Sequence, residues 1–198
     1  MIRTACIALL STLLFGLVST ANAVPIVFEA ALSGPNESPA NASPGIGFAE
    51  VDFDTVANTM RVQVTFSGLV APTAMAHIHC CTAVPLIGTA GVATTVPNFT
   101  GFPLGVTSGT YDHTFDMTLL SSYNPAFVTA NGGTAASAEA ALLAGMVAQD
   151  SYLNIHTSAF PSGEIRGFLV PVPEPASLII FGTALAGVAL IRRRRKTA

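Results

Sequence analysis

The sequence predicts a mainly β protein, a Greek-key or immunoglobulin-like β-sandwich with one or two short helices in a long connection. Several segments alternate apolar and polar residues with a period of two, which is typical of half-buried strands. The chain has 17 glycines and 13 prolines, and charged residues make up only 10% of it. This composition is typical of an exported, turn-rich β protein. About seven short strands with long connections fit a sandwich.

The clearest strand is the segment 60–66, in which Met60, Val62, Val64 and Phe66 alternate with polar residues. The gap around Asn58 indicates a hairpin with the strand before it. Further strands are predicted at 26–33, 46–53, 74–79, 111–119, 152–156 and 164–170. The segment 80–109 carries turn residues without periodicity. It is predicted to be a long irregular connection, and loops of that length are more often functional than merely connective.

Two helices are predicted before the closing strands. Pro125 at a first helical position favours a short helix over 124–131. An alanine-rich segment over 135–148 has four larger apolar residues on one side, which predicts an amphipathic helix. These residues are Leu142, Leu143, Met146 and Val147.

Both ends of the chain have the features of processing segments. Residues 1–23 contain Arg3, an apolar run and a final Ala-Asn-Ala, which predicts a signal peptide that signal peptidase removes after Ala23. Residues 24–170 form the predicted sandwich domain, and 171–198 form a tail. In the tail, 176–191 is predicted to be a transmembrane helix, and the basic cluster 192–196 keeps to the cytoplasmic side. We therefore expect the protein to be held in the inner membrane at an intermediate stage of sorting. The alternative is that the tail anchors it there permanently.

The charge of the domain differs from that of the whole chain, whose formal net charge is −3. Most basic residues lie in the two terminal segments. Between residues 24 and 172 there are two basic residues, Arg61 and Arg166, and ten acidic residues. The net charge of this segment is therefore −8. Such a domain repels polyanions, so nucleic acid is not an expected partner.

Three histidines form a candidate metal site. His77 and His79 are two positions apart, so on a strand they share one face. Asn154 and His156 have the same spacing. If the two strands are neighbours, three imidazoles converge, and imidazole suits metals such as copper, zinc or iron (Cu, Zn or Fe). The alternative is that these histidines bind loop backbone and shape one end of the sandwich.

Cys80 and Cys81 follow directly after His79, and exported cysteines usually pair. Adjacent Cα atoms lie about 3.8 Å apart across a trans peptide, below the usual disulfide range of roughly 4.4–6.8 Å. A disulfide between neighbours is therefore expected to be strained. Thiolate ligation beside the histidines, intermolecular bridging and free thiols are the alternatives.

The remaining polar residues favour structural roles. Glu164 and Arg166 lie two positions apart on the last strand and, with Asn154, are expected to form a structural polar network. His113 is expected to be a core histidine because Tyr111, Phe115 and Met117 share its face. The chain has no G-x-S-x-G, phosphate-binding loop or H-E-x-x-H motif. We therefore expect no catalytic residues and no enzyme activity.

Several ordered motifs resemble the CHRD domain, first described in chordin. They are FEAALSGPNE at 28–37, FSGL at 66–69, AHIH at 76–79, YLNIHT at 152–157 and PSGEIRG at 161–167. The resemblance implies an extracellular β-sandwich module without established catalytic activity. Cys80 and Cys81 depart from the small residues that usually follow His-Ile-His. A weaker likeness to copper/zinc superoxide dismutases rests on His-x-His alone.

The tail resembles the PEP-CTERM sorting signal of Gram-negative bacteria. The matching residues are Pro173, Glu174 and Pro175, then the apolar segment, then Arg192, Arg193, Arg194 and Arg195. The resemblance implies recognition by an exosortase, removal of the tail, and delivery to the cell surface or extracellular matrix. We expect a structural or adhesive protein with exopolysaccharide or surface proteins as partners. The alternative is a metal-binding or redox protein that uses the three histidines.

Overall fold

The structure is a computed structural model that describes residues 25–173, and these residues form a mainly β domain with two helices. The strands are β1 (Ile26–Ser33), β2 (Ile46–Asp54), β3 (Thr59–Ser67), β4 (Thr73–His79), β5 (Gly109–Asp116), β6 (Tyr152–Thr157), β7 (Ile165–Phe168) and β8 (Val170–Pro171). The helices are α1 (Pro125–Ala130) and α2 (Ala135–Val147). The predicted mainly β class is confirmed.

All described strand pairs are antiparallel and belong to one curled sheet in the order β4-β6-β7-β1-β2-β3-β5, with β8 beside β1. The join between β7 and β1 is narrow, because it has the single residue pair Ser33 and Arg166. The sheet therefore has two parts, β4-β6-β7 and β1-β2-β3-β5. Both parts contribute side chains to one hydrophobic core, which makes the fold sandwich-like.

The core forms because strands β1, β2 and β3 alternate as the sequence predicts. On β3, Met60, Val62, Val64 and Phe66 are buried while the residues between them are more exposed. Burial of each such side chain stabilises the domain by about 1.5–3 kcal/mol. The hairpin predicted near Asn58 is present between β2 and β3. Asn58 has a φ of 51° there, a conformation that asparagine tolerates better than most residues.

The two predicted helices are present, with one correction. Asn124 caps α1 by accepting a hydrogen bond from Ala126 N, and Thr134 caps α2. On α2 Leu142 and Met146 are fully buried, as expected. Val147 is 52% exposed, so its predicted place on the apolar side is wrong. The helix ends at this residue, and the chain turns away towards β6.

Strand β5 is shorter than predicted, since it ends at Asp116 instead of continuing to Leu119. The Asp116 carboxylate accepts hydrogen bonds from the amide and hydroxyl of Thr118, which turns the chain. Leu119 is consequently 51% exposed. The connection between β4 and β5 is irregular, as predicted, apart from isolated bridges such as that between His79 and Val92.

The last described residues remain attached to the sheet. Val170 and Pro171 pair with β1, and Val172 N donates a hydrogen bond to Val27 O. Within 25–173 no helix is long and apolar enough to cross a membrane. The predicted signal peptide, 1–23, the transmembrane segment, 176–191, and the basic cluster, 192–196, lie outside the described residues.

Candidate metal centre

Strands β4 and β6 are neighbours, and their pairing brings three histidines together. His77 is opposite Asn154, and His156 is opposite Met75. Because residues two apart on a strand share a face, His77, His79 and His156 lie on the same side of this pair. One ligand nitrogen of each ring lies within 4.8 Å of those of the other two. The rings are edge-on or tilted to one another, with centroids 5.4–5.8 Å apart.

Each histidine uses one ring nitrogen to contact a backbone carbonyl. The pairs are His77 Nε2 with Pro97 O, His79 Nδ1 with Ala90 O and His156 Nδ1 with Pro161 O, at 2.5, 2.9 and 2.9 Å. A carbonyl oxygen accepts but cannot donate, so the contacting nitrogen carries the proton. The other nitrogen of each neutral ring then holds a lone pair. Those three nitrogens are buried and have no hydrogen-bond partner.

The burial of these rings keeps them neutral at pH 7. Loss of hydration lowers the pKa of His77 and of His79 to about 4, although their carbonyl contacts act in the opposite direction. Burial also lowers the pKa of His156. Neutral imidazole is the form that binds metal ions, so all three lone pairs are available.

A segment of the long connection covers the outer edge of β4. Ala93 N donates to Ile78 O at 2.9 Å, and Cys80 N donates to Gly91 O at 3.0 Å. The same segment supplies the carbonyls of Ala90 and Pro97 described above. The irregular connection therefore orients two of the three histidines.

Tyr152 supports the ring of His79 from the neighbouring strand. The two rings are stacked with centroids 4.8 Å apart and planes 6° from parallel. The Tyr152 hydroxyl lies 3.1 Å from Ala90 N and 3.2 Å from Ala90 O. One tyrosine thus positions both the ring of His79 and the carbonyl that orients it.

Arg166 lies opposite Asn154 on β7 and extends over Tyr152, with Cζ 4.7 Å from the ring centroid. Its guanidinium donates to the backbone carbonyls of Asn36 and Gly88. Its nearest acidic partner is Glu37, at 3.9 Å. Arg166 therefore joins two loops to the sheet beside the histidines.

Glu37 is buried at the same end of the domain, and this burial raises the pKa of its carboxyl to about 7 although Arg166 acts to lower it. Glu37 Oε1 and Asn154 Oδ1 have no hydrogen-bond partner. A Cβ added to Gly163 would lie 2.6 Å from each of these oxygens. The turn at Gly163 thus closes over two buried polar groups.

Glu164 has a different role from Arg166, and the two side chains contact different partners. Its carboxylate is fully buried and accepts hydrogen bonds from Ser43 Oγ, Val70 N and Thr157 Oγ1, each at 2.6 Å. These donors come from two loops and from β6. Glu164 therefore stabilises the closing hairpin and lies outside the group of histidines.

Cys80 and Cys81 form a disulfide, and their peptide bond is cis. Cys80 is buried in the hydrophobic core, as is Ile78, whereas His79 belongs to the histidine group on the other side of β4. Both sulfurs lie against Gly145 of α2. In this state the thiolate ligation considered from the sequence is not formed. His113 contacts Phe115 at a centroid distance of 4.6 Å, away from the three grouped histidines.

Sequence reasoning missed Glu37 and Tyr152 as parts of this centre. Glu37 lies in an irregular loop, where no periodicity indicates which side chains point inward. Tyr152 is two positions before Asn154 and four before His156 on one strand, so its place on the shared face was available from the spacing. The aromatic residue in that pattern was the overlooked signal.

The sheet, its covering loops and the group of buried histidines define a sandwich-like β domain with a polar site at one end. The sequence matches the CHRD domain family over residues 28–169. The chain therefore belongs to the CHRD domain family. No curated protein and no solved structure gives a significant match.

Residues 171–195 match the PEP-CTERM protein-sorting motif. The chain is therefore an exported protein of the kind that an exosortase recognises and sorts at the membrane of Gram-negative bacteria. Both matches are to non-enzymatic families. Of the predicted sorting residues, Pro173 is the last described one. Glu174, Pro175 and the arginines 192–195 lie beyond the described part of the chain.

Proposed function

We propose that this CHRD domain binds one divalent transition-metal ion through His77, His79 and His156. The observation behind the proposal is the group of three buried ring nitrogens without hydrogen-bond partners. A buried polar atom without a partner costs about 1–3 kcal/mol. A metal ion would satisfy three such atoms at once.

The surroundings of the histidines favour a metal site over a purely structural cluster. Each ring gives its other nitrogen to a backbone carbonyl, the arrangement that orients histidine ligands in metalloproteins. Arg166 brings an unfavourable positive charge, which Glu37 at 3.9 Å offsets when its carboxyl is ionised. Three imidazoles suit zinc or copper and leave a fourth coordination position for another ligand.

The test is elemental analysis of the protein purified from its own compartment, with copper, zinc and iron measured per chain. We expect one metal ion in the wild type and in His113→Ala, the matched control that removes the fourth histidine. The double variant His77→Ala/His79→Ala should lose the metal. Wild-type protein that is metal-free, and as stable as the double variant, would contradict the proposal.

We further propose that the domain acts without catalysis, as a structural or adhesive component of the cell surface or extracellular matrix. The membership of a non-enzymatic domain family and the absence of common catalytic motifs from the sequence support this role. Exopolysaccharide or surface proteins are the proposed partners. Cosedimentation of the purified protein with matrix polysaccharide tests the adhesive role. Protein that stays entirely in the supernatant, with and without added zinc, would contradict it.

Delivery to the surface is proposed to involve signal peptidase at the N-terminus, an inner-membrane intermediate and exosortase cleavage of the tail. Deletion of 174–198 is a sharp test because it keeps Val172, which donates to Val27 O. We expect the truncated domain to fold but to leave the sorting route. If it still reaches the same surface fraction, the tail is not the sorting signal.

A further inference from the structure

The disulfide between Cys80 and Cys81 is unequally exposed. Cys80 is 6% exposed and belongs to the hydrophobic core, whereas Cys81 is an exposed residue. In thiol–disulfide exchange, the attacking thiolate must reach one sulfur, and the other sulfur leaves. We therefore expect an external thiol to approach from the side of Cys81, the exposed residue of the pair. Cys80 is then the leaving sulfur.

The leaving sulfur lies beside a hydroxyl that has no partner. Ser151 is fully buried, and its Oγ makes no hydrogen bond. Gly145 of α2 provides the space for both groups. A Cβ added there would overlap the two sulfurs and lie 3.1 Å from Ser151 Oγ. The two sulfurs and the hydroxyl therefore lie together against Gly145, which has no side chain.

This arrangement favours the reduced state of the pair. A disulfide sulfur carries no proton, whereas a protonated thiol can donate a hydrogen bond to a hydroxyl oxygen. The Oγ of Ser151, unpaired while the disulfide is intact, gains a donor when Cys80 is released as a thiol. A buried polar atom that is satisfied in one redox state and unpaired in the other shifts the equilibrium towards the first.

We propose that Cys80–Cys81 is a thiol–disulfide exchange site for dithiols, with Ser151 stabilising the released Cys80. One thiolate of the dithiol attacks Cys81 Sγ, the S–S bond breaks, and its electron pair goes to Cys80 Sγ. The proton lost by the attacking thiol is taken up when Cys80 is protonated. The second thiol of the dithiol then attacks the dithiol sulfur that is bonded to Cys81. This mixed disulfide breaks, and Cys81 is released as a thiol. The donor is oxidised by two electrons to a disulfide, and the pair gains two electrons and two protons.

The site is separate from the metal centre, because the disulfide contacts α2 while the histidines face the covering loops. A failure of metal binding would therefore leave this proposal intact, and the reverse also holds. The disulfide does not need the metal for the exchange, since the dithiol supplies both electrons.

The first experiment needs no substitution in the protein. The exported protein is mixed with glutathione, quenched with acid, and the position of the mixed disulfide is determined by fragment mass spectrometry. We expect the adduct on Cys81. An adduct on Cys80, or no adduct without denaturant, would overturn the proposal.

The second experiment tests Ser151 by equilibration with dithiothreitol and counting of free thiols. Ser151→Ala should lower the equilibrium constant for reduction by roughly fivefold, the effect of one ordinary hydrogen bond. The matched control is Ser122→Ala, which removes another buried serine whose hydroxyl donates to Asp116 O. It should leave that constant unchanged. An unchanged constant in Ser151→Ala protein that melts as the wild type does would overturn the role of Ser151.

Discussion

The ring of His156 lies 5.4 Å from that of His77, although the two residues belong to strands far apart in the sequence. The antiparallel register between β4 and β6 sets this distance. If either strand shifted by one residue relative to the other, its histidines would move to the opposite face. The candidate metal centre therefore depends on the register of two strands.

Loss of the β6 ligand should abolish the stabilisation of the domain by metal. A ligand at 100 times its Kd stabilises the folded state by about 2.7 kcal/mol. We expect zinc to raise the melting temperature of the wild type, and His156→Ala to remove that rise because two imidazoles remain. Scanning calorimetry with and without zinc measures it. His113→Ala should keep the rise, and an equal rise in His156→Ala would exclude this site.

The stability of the metal-free domain should depend on pH through the histidines. Their folded pKa of about 4 lies below the usual 6.5, so the unfolded chain binds more protons between these values. Stability is then fully present above pH 6.5 and falls as the pH decreases towards 4. The loss is on the order of 3 kcal/mol for each such histidine. Chemical unfolding in chelator at several pH values measures it.

Glu37 has the opposite effect and gives the control for that experiment. Its folded pKa of about 7 lies above the usual 4.5, so its contribution is present below pH 4.5 and is lost as the pH rises through 7. Glu37→Gln removes this contribution. We expect the gain in stability from pH 4 to 6.5 to be steeper in the variant. An identical profile in both proteins would show that Glu37 is not protonated in the folded domain.

Gly163→Ala should destabilise the closing hairpin. Gly163 has a φ of +131°, and an added Cβ would meet Glu37 Oε1 and the Asn154 amide within 2.6 Å. The strain and the overlap together cost about 2–4 kcal/mol. Gly101→Ala is the matched control, because Gly101 has a φ of +77° but open space around it. It should cost about 1–2 kcal/mol. Equal losses in urea unfolding would mean that the turn can move away from the buried groups.

Replacing Arg166 by lysine should be destabilising although the charge is kept. A lysine ammonium cannot reproduce the planar fork that donates to the carbonyls of Asn36 and Gly88. We expect a loss of about 2–3 kcal/mol. Arg61→Lys changes the exposed pair with Asp112, which solvent screens, so its effect on stability should be much smaller. Chemical unfolding of both variants compares them, and similar losses would contradict a special role for Arg166.

The strands were predictable from the sequence because alternation reports which face of a strand is buried. The candidate metal centre was predictable in part, since the spacing of His77 and His79 places them on one face of a strand. His156 lies beside them only because β4 and β6 are adjacent strands. That strand pairing cannot be inferred from a local sequence pattern. Glu37 could not be predicted in this way, because a loop residue becomes buried only through the packing of distant segments.

The backbone contacts of the segment near Ala93 with β4 have a consequence for how the protein behaves at high concentration. An uncovered edge strand presents free amide and carbonyl groups that can pair with the edge of another molecule. Here Ile78 O and Cys80 N are already bonded to Ala93 N and Gly91 O. Because the covering segment occupies these groups, they are not free to pair with the edge strand of another copy when the protein is concentrated.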